Sequence, residues 1–183
     1  MWRGEVHVTS VATQYKKIRY YTRENVGAED THLPPEEKDT EAFVVTISDA
    51  TAADLGIAAG DRGSAWRGVA KLCRRVAPLF LRCQPRDLGV SAHVRSPHFR
   101  RPALFLYDAV RGGVGLSDLL FRGHRALFGA ALEVVARCAC ERGCPACVGP
   151  PEEVGMLGKD LARAVLEHLA TGPELADAET EEP

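Results

Sequence analysis

Cys138, Cys140, Cys144 and Cys147, four of the six cysteines in the chain, fall in the segment CACERGCPACVGP with the spacing C-x-C-x3-C-x2-C. Zinc takes four soft ligands at tetrahedral corners, about 2.3 Å from each sulfur, and two short-spaced cysteine pairs joined by a tight turn can supply them. Gly143 lets the backbone turn before Cys144. Pro145 stiffens the loop, leaving backbone N–H groups free to aim at the sulfurs. Four thiolates around one dication remain net negative, at a helix C-terminus that is itself negative, and Arg137 and Arg142 are placed to offset that charge.

Other uses of clustered thiols need different surroundings. A thioredoxin-type C-x-x-C places its nucleophile at a helix N-terminus, whereas CPAC runs into VGPP, which does not begin a regular helix at once. An iron–sulfur cluster also takes four thiolates and stays open, although this spacing is not the ferredoxin run. Cys73 and Cys83 lie far from the cluster in apolar surroundings, which suits core packing. The six histidines show no pairing at metal spacing, and His93, His98 and His124 read as surface or core-edge residues. YDAVRGGVGLSD sets a glycine-rich turn between a strand and a helix, but it fits neither nucleotide-binding fingerprint and reads as a tight crossover, with Asp108 as a cap or a ligand-binding group. No triad or carboxylate pair assembles by motif.

The chain has 183 residues, 45% hydrophobic and 26% charged, enough for one globular domain with a real core. No apolar run reaches the roughly 20 residues of a membrane span and no secretory signal is evident, so the expectation is a cytoplasmic protein in which thiols stay reduced. The net charge of −2 conceals segregation: Glu24 to Asp54 holds nine acidic residues and one lysine, while Arg62 to Arg101 holds ten basic residues against Asp87 alone. Such a basic block serves either as a nucleic-acid footprint or as a solvated face balancing the acidic segment.

The elements that would position these groups follow from periodicity. EVHVTSVATQYKKIRYYT alternates apolar and polar residues and predicts half-buried strands, two or one long bent one. Glu24 to Thr40 reads as a surface loop before the strand AFVVTIS, and Ser48 or Asp49 is a candidate cap for a helical turn. From Ser64, the residues Trp66, Val69, Ala70, Cys73, Val76, Ala77 and Phe80 mark one face of a helix that Pro78 should kink or interrupt. Strands are predicted at VSAHV and ALFLYDAV. A long helix from Gly115 to Cys138 buries Leu116, Leu119, Leu120, Leu127, Ala131, Leu132 and Val135 and delivers the cysteines at its end. GKDLARAVLEHLA gives a last amphipathic helix. The reading is an α+β domain over residues 1–170, a small antiparallel or mixed sheet packed against a few helices, with the four-cysteine site at the end of the longest helix. An acidic tail over 171–183 is expected to be disordered.

With YKKIRYYTRENVG, LPPEEKDTEAF, RCQPRDLGV, LFLYDAVRGGVGLSDLLF and CACERGCPACVGP in order, the chain from about Val6 to Leu169 resembles the MrfA-type zinc-binding domain. That domain stands at the C-terminal end of superfamily 2 DEAD/DEAH-box DNA repair helicases of the RecQ-like group. The resemblance implies that Cys138, Cys140, Cys144 and Cys147 are the zinc ligands. Arg111 stands where the family commonly has proline, and the P-loop and DEAD/DEAH-type box of the motor are missing from these residues. The resemblance therefore implies no enzyme, but a domain working with helicase motor domains in cis or on another chain. It also implies DNA, single-stranded or forked, as a partner, and makes Arg67, Lys71, Arg74 and Arg75 with Arg100 and Arg101 the candidate nucleic-acid surface. The alternative is a protein-interaction subunit of a phage-defence or repair complex, with no DNA affinity of its own and with zinc serving only the fold.

Overall fold

A computed structural model describes residues 1–172; most of the acidic tail lies outside them. Among the described residues six strands and six α-helices run in the order β1 (Trp2–Ser10), β2 (Gln14–Ile18), β3 (Asn25–Asp30), β4 (Glu36–Thr46), α1 (Asp49–Asp54), α2 (Arg62–Leu81), β5 (Leu88–His93), β6 (Ala103–Asp108), α3 (Leu116–Arg122), α4 (His124–Arg137), α5 (Pro151–Val154) and α6 (Gly158–Thr171). The main sheet is antiparallel throughout, in the order β1-β4-β6-β5, and β2 and β3 form a separate antiparallel hairpin. Among the described residues no helix is long and apolar enough to cross a membrane.

The alternation of side chains across a strand decides what each face meets. On β4 and β6, Phe43, Val45, Leu104 and Leu106 point into the main core with Trp66, Leu72, Phe128 and Leu166 of the helices. Ala42, Val44 and Ala103 point the other way, under Trp2, Val6, Phe99, Phe105 and Tyr107. The run AFVV is therefore buried on both faces, which is why it carries no polar alternation. β1 does alternate, as an edge strand with one face half-buried.

Ser48 caps α1, its side chain accepting from the N–H of Thr51 at 3.0 Å. Trp66, Val69, Cys73, Val76 and Ala77 are buried along α2 as the periodicity required. α2 runs through Pro78 to Leu81 and is not interrupted there. Proline, one turn from the helix end, removes only the bond to the carbonyl of Arg74, an exposed position. Arg82 then adopts the left-handed conformation (φ 55°), and the N–H of Cys83 reaches back to the Pro78 carbonyl at 3.0 Å. α6 crosses α2 at Gly68, where an added Cβ would lie 2.8 Å from that of Ala162.

Other expectations need correction as well. Glu24 to Thr40 is not simply a loop: it holds β3 and the first residues of β4, whose charged side chains are tolerated because they extend past the core to pair with Ser10, Thr9, Val8 and His7. β2 is exposed along its whole length, not half-buried. The long helix is two, α3 and α4, divided at Gly123, where the ring of Phe80 would come within 2.6 Å of any Cβ. The break turns Leu119 outward (51% exposed) while Leu120 stays buried. The longest helix is thus α2, and the cysteines follow α4. Thr171, counted with the tail on sequence, closes α6.

Candidate metal centre

α4 ends at Arg137, and Cys138 is its C-cap, with the backbone already extended (φ −73°, ψ 121°). The chain then doubles back. At Gly143 φ is +117°, and a Cβ there would sit 2.5 Å from the carbonyl oxygen of Gly149, so glycine is needed both for the dihedral and for the close approach. The carbonyl of Cys144 accepts from the N–H groups of Cys147 and Gly149, each at 3.0 Å, closing the second knuckle.

This path brings all four sulfurs within 4.8 Å of one another. Cys138 Sγ lies 3.5 Å from those of Cys140 and Cys144, Cys140 Sγ is 3.5 Å from Cys147 Sγ, and Cys144 Sγ is 3.7 Å from Cys147 Sγ. The thiols are free, not disulfide-bonded. A tetrahedral ion with bonds of about 2.3 Å needs sulfurs about 3.8 Å apart, so this donor set fits zinc with small adjustments. Four protein ligands fill the tetrahedron and leave no open position, the mark of a structural site.

Burial, the largest influence, pushes the Cys147 thiol up to about 12, while hydrogen bonds from the backbone N–H groups of Cys144 and Val148 pull it down. The protein alone thus does not favour a thiolate here; a bound dication does, and binding then releases protons.

Charge compensation comes from a residue that the sequence pattern did not point to. Arg137 pairs with Glu133 at 3.7 Å on the exposed side of α4, and Arg142 is exposed. Lys159, in the first turn of α6, donates instead to the carbonyls of Cys138, at 2.8 Å, and Cys140. A lysine in a first turn opposes the helix dipole, so its partner had to lie outside its own helix. That conflict was the available signal.

On the other side of the loop Arg75 donates to the carbonyl of Pro145 at 2.6 Å, and Lys71 pairs with Glu153. Gly149, at φ +106°, leaves room for the Lys71 side chain, which would lie within 2.6 Å of a Cβ. Lys71, Arg74 and Arg75 on α2 face Pro145, Cys147 and Gly149 across an open cleft of about 500 Å³. The metal loop is therefore one wall of a basic cleft. Of the six predicted nucleic-acid residues the fold gathers these three. Arg67 stays beside Ser64 of its own helix, and neither it nor Arg100 or Arg101 lines the cleft. The last two belong to the β5–β6 connection, whose Phe99 packs on the sheet face turned away from the helices.

The remaining candidates are structural. Asp108 is fully buried, and its carboxylate accepts from the N–H groups of Val114 (2.6 Å), Leu116 (3.1 Å) and Ser117 (2.9 Å) and from Ser117 Oγ (2.6 Å). It caps the glycine turn and the start of α3, with both oxygens already engaged. Cys73 is wholly buried, which pushes its thiol up to about 12, and Cys83 is partly buried. His124 wedges among Phe43, Phe121 and Phe128, while His93 and His98 are exposed.

Comparison with known proteins agrees with this site. Residues 69–148, from the middle of α2 to just past the last cysteine, match the family model of the MrfA Zn-binding domain. The chain is 30% identical over 167 residues, 91% of its length, to the uncharacterised ATP-dependent helicase YprA of Bacillus subtilis, of which it spans 22%. It is 31% identical over 77 residues to an uncharacterised protein of Methanocaldococcus jannaschii, covering 40% of this chain and 69% of that one. A crystal structure of the DUF1998 helicase MrfA bound to DNA superposes with a TM-score of 0.69 at 29% identity, covering 90% of this chain and 22% of that one. A second, with DNA and AMPPNP, gives 0.60 at 28% identity, covering 89% and 20%. The fold, the four converging thiols and these relatives agree: the chain belongs to the MrfA Zn-binding domain family, and its cysteine cluster is a zinc site.

Proposed function

We propose that this chain is the zinc-stapled accessory domain of an ATP-dependent DNA helicase acting in DNA repair. It braces the motor, in cis or on a separate chain, and holds single-stranded or forked DNA by its backbone. The observation that carries this reading is the cleft itself, in which three cations of α2 face the metal loop. Zinc fixes the wall at Pro145 and Gly149, α2 presents the charges, and neither alone makes the groove. Among the described residues Arg74 is the free cation of the three, since Lys71 is paired with Glu153 and Arg75 with a carbonyl. Phosphate contacts of this kind carry no base preference.

The test is a salt titration of DNA binding with Arg74→Ala. Removing one phosphate–cation pair flattens the slope of log K against log salt by about 0.7 on single strands. Affinity should fall without regard to sequence and the slope should drop by about that amount. An unchanged slope removes the cleft from the account and favours the protein-interaction alternative.

A further inference from the structure

The β2–β3 hairpin stands apart from the cleft and from the core, and every residue of both its strands is exposed. A two-stranded ribbon in water is marginal by itself. This one is fastened internally: Glu29 accepts from Tyr15 Oη at 2.5 Å and pairs with Lys17, and Gln14 donates to Asp30 at 3.4 Å.

The turn is fixed as well. The N–H of Arg19 donates to the Glu24 carbonyl and that of Arg23 to the Arg19 carbonyl, each at 2.9 Å. The Glu24 carboxylate accepts from Thr22 Oγ1 at 3.2 Å and from Arg19 at 3.4 Å. Held on that frame, Tyr20 and Tyr21 are 87% and 92% exposed, edge to face with ring centroids 5.2 Å apart. Closing the turn does not require them, because every bond that closes it comes from Arg19, Thr22, Arg23 or Glu24. Two rings so exposed are displayed, not packed.

Charge is graded along the ribbon. Towards the base the acids Glu29 and Asp30 are matched by Lys16 and Lys17, whereas at the tip, Arg19-Tyr20-Tyr21-Thr22-Arg23-Glu24, Glu24 pairs with Arg19 and Arg23 is the surplus cation. Neither Lys16 nor Arg23 has an ion-pair partner among the described residues. Rigid aromatic faces flanked by an unpaired cation are what unpaired bases and their phosphates require.

We infer that the hairpin tip is a stacking platform for unpaired nucleobases, with Tyr20 and Tyr21 supplying the rings and Arg23 the countercharge. This contact shares its ligand class with the proposed function but not its site, and it depends on bases where the cleft depends on phosphates.

That difference separates the two experimentally. The full chain is titrated with a thymidine oligonucleotide carrying one 2-aminopurine and, in parallel, with an abasic oligonucleotide of the same length. Wild-type protein should quench the 2-aminopurine and bind the base-bearing strand more tightly. Tyr20→Ala with Tyr21→Ala should abolish quenching and weaken that strand about ten- to a hundredfold, leaving abasic binding unchanged. Tyr20→Phe with Tyr21→Phe should restore both, since stacking needs the ring and not the hydroxyl. Arg74→Ala should weaken both strands alike, and its failure to do so dismisses the cleft without touching the hairpin. No quenching by wild-type protein, or equal binding by the alanine pair, overturns the platform and assigns the exposed tip to a protein contact.

Discussion

The metal loop and the β2–β3 hairpin are two excursions from one core that keep their shape in opposite ways. From Cys138 to Pro150 the chain forms no strand and no helix, yet Cys147, Val148 and Gly149 are buried. Arg75 of α2 and Lys159 of α6 reach in from neighbouring elements to hold its carbonyls. The hairpin has a regular ladder and a closed turn, yet it is exposed throughout and its side-chain bonds run mostly between its own residues. Regular backbone hydrogen bonding does not by itself make a segment part of the fold's cooperative unit. Contacts with other elements do, and here the metal ion, whose four ligands all lie in the loop, holds it in the shape that Arg75 and Lys159 grip.

Taking the ion away is the most direct way to break the contrast. Structural zinc in finger peptides binds with about 10 kcal/mol or more, comparable with the whole stability of a typical domain at about 5–15 kcal/mol. Chelation, or Cys144→Ser, should therefore release the loop and with it the packing of α6 against α2 and α4. Native-state hydrogen exchange is the measurement. Amides of the last turn of α4 and of α6 should lose protection, while those of β2 and β3 should exchange at the same rate with or without metal. Should α6 keep its protection without metal, the apolar contacts of Val165 and Leu166 suffice and the ion is dispensable for the lobe.

The same contrast explains what could be read from the sequence. Cys138, Cys140, Cys144 and Cys147 were legible because metal chemistry demands both residue type and short spacing, and both are local. The sheet strands AFVVTIS and ALFLYDAV were legible because burial on two faces leaves an apolar run. The division at Gly123 was not: the repeat of Leu116, Leu120 and Leu127 continues across it, and the contact that requires glycine there, the ring of Phe80, lies far along the chain. β3 was hidden for a related reason. NVGAED offers only Val26 and Ala28 around a glycine, since nothing buries either of its faces, so a strand held by pairing alone leaves little hydrophobic pattern. The basic stripe was legible as charge but not as a surface. Helical spacing placed Lys71, Arg74 and Arg75 together, while only the loop beyond Cys144 defines the cleft that separates them from Arg67.

A smaller effect sharpens the metal side of the contrast. If Lys159 holds the first knuckle in place of Arg137, then Lys159→Met should lower zinc affinity about tenfold, the low end of what outer contacts to metal ligands contribute. Arg137→Ala should leave it unchanged, because that side chain meets only Glu133 on the solvent side. Competition against a chromogenic chelator reads both. Equal losses from the two variants would mean that net charge near the site, and not the two carbonyl contacts of Lys159, sets the affinity.

The smallest effect lies in the hairpin, where one carboxylate carries the pairing. Hydrogen bonds from Lys17 first and Tyr15 second hold the Glu29 carboxyl below its ordinary value of 4.5, and Glu29 in turn raises the phenol of Tyr15. A carboxylate lowered in the folded state adds stability that is complete above its unfolded value and is lost as pH falls through the folded one. Ribbon pairing should thus loosen only below about pH 4.5, first at the Tyr15 and Glu29 amides and with nothing changing between pH 6 and 8. Both groups are exposed, so the change is local and screened by salt. Amide chemical shifts of β2 and β3 through an acid titration, compared with Glu29→Gln, check it. Acid also strips thiolates from zinc, but the glutamine variant separates the two events: it should hold hairpin shifts flat with pH while the metal loop still responds. A hairpin that shifts with the loop in that variant would show that the two excursions are coupled after all, and that the ribbon draws its order from the metal end of the core.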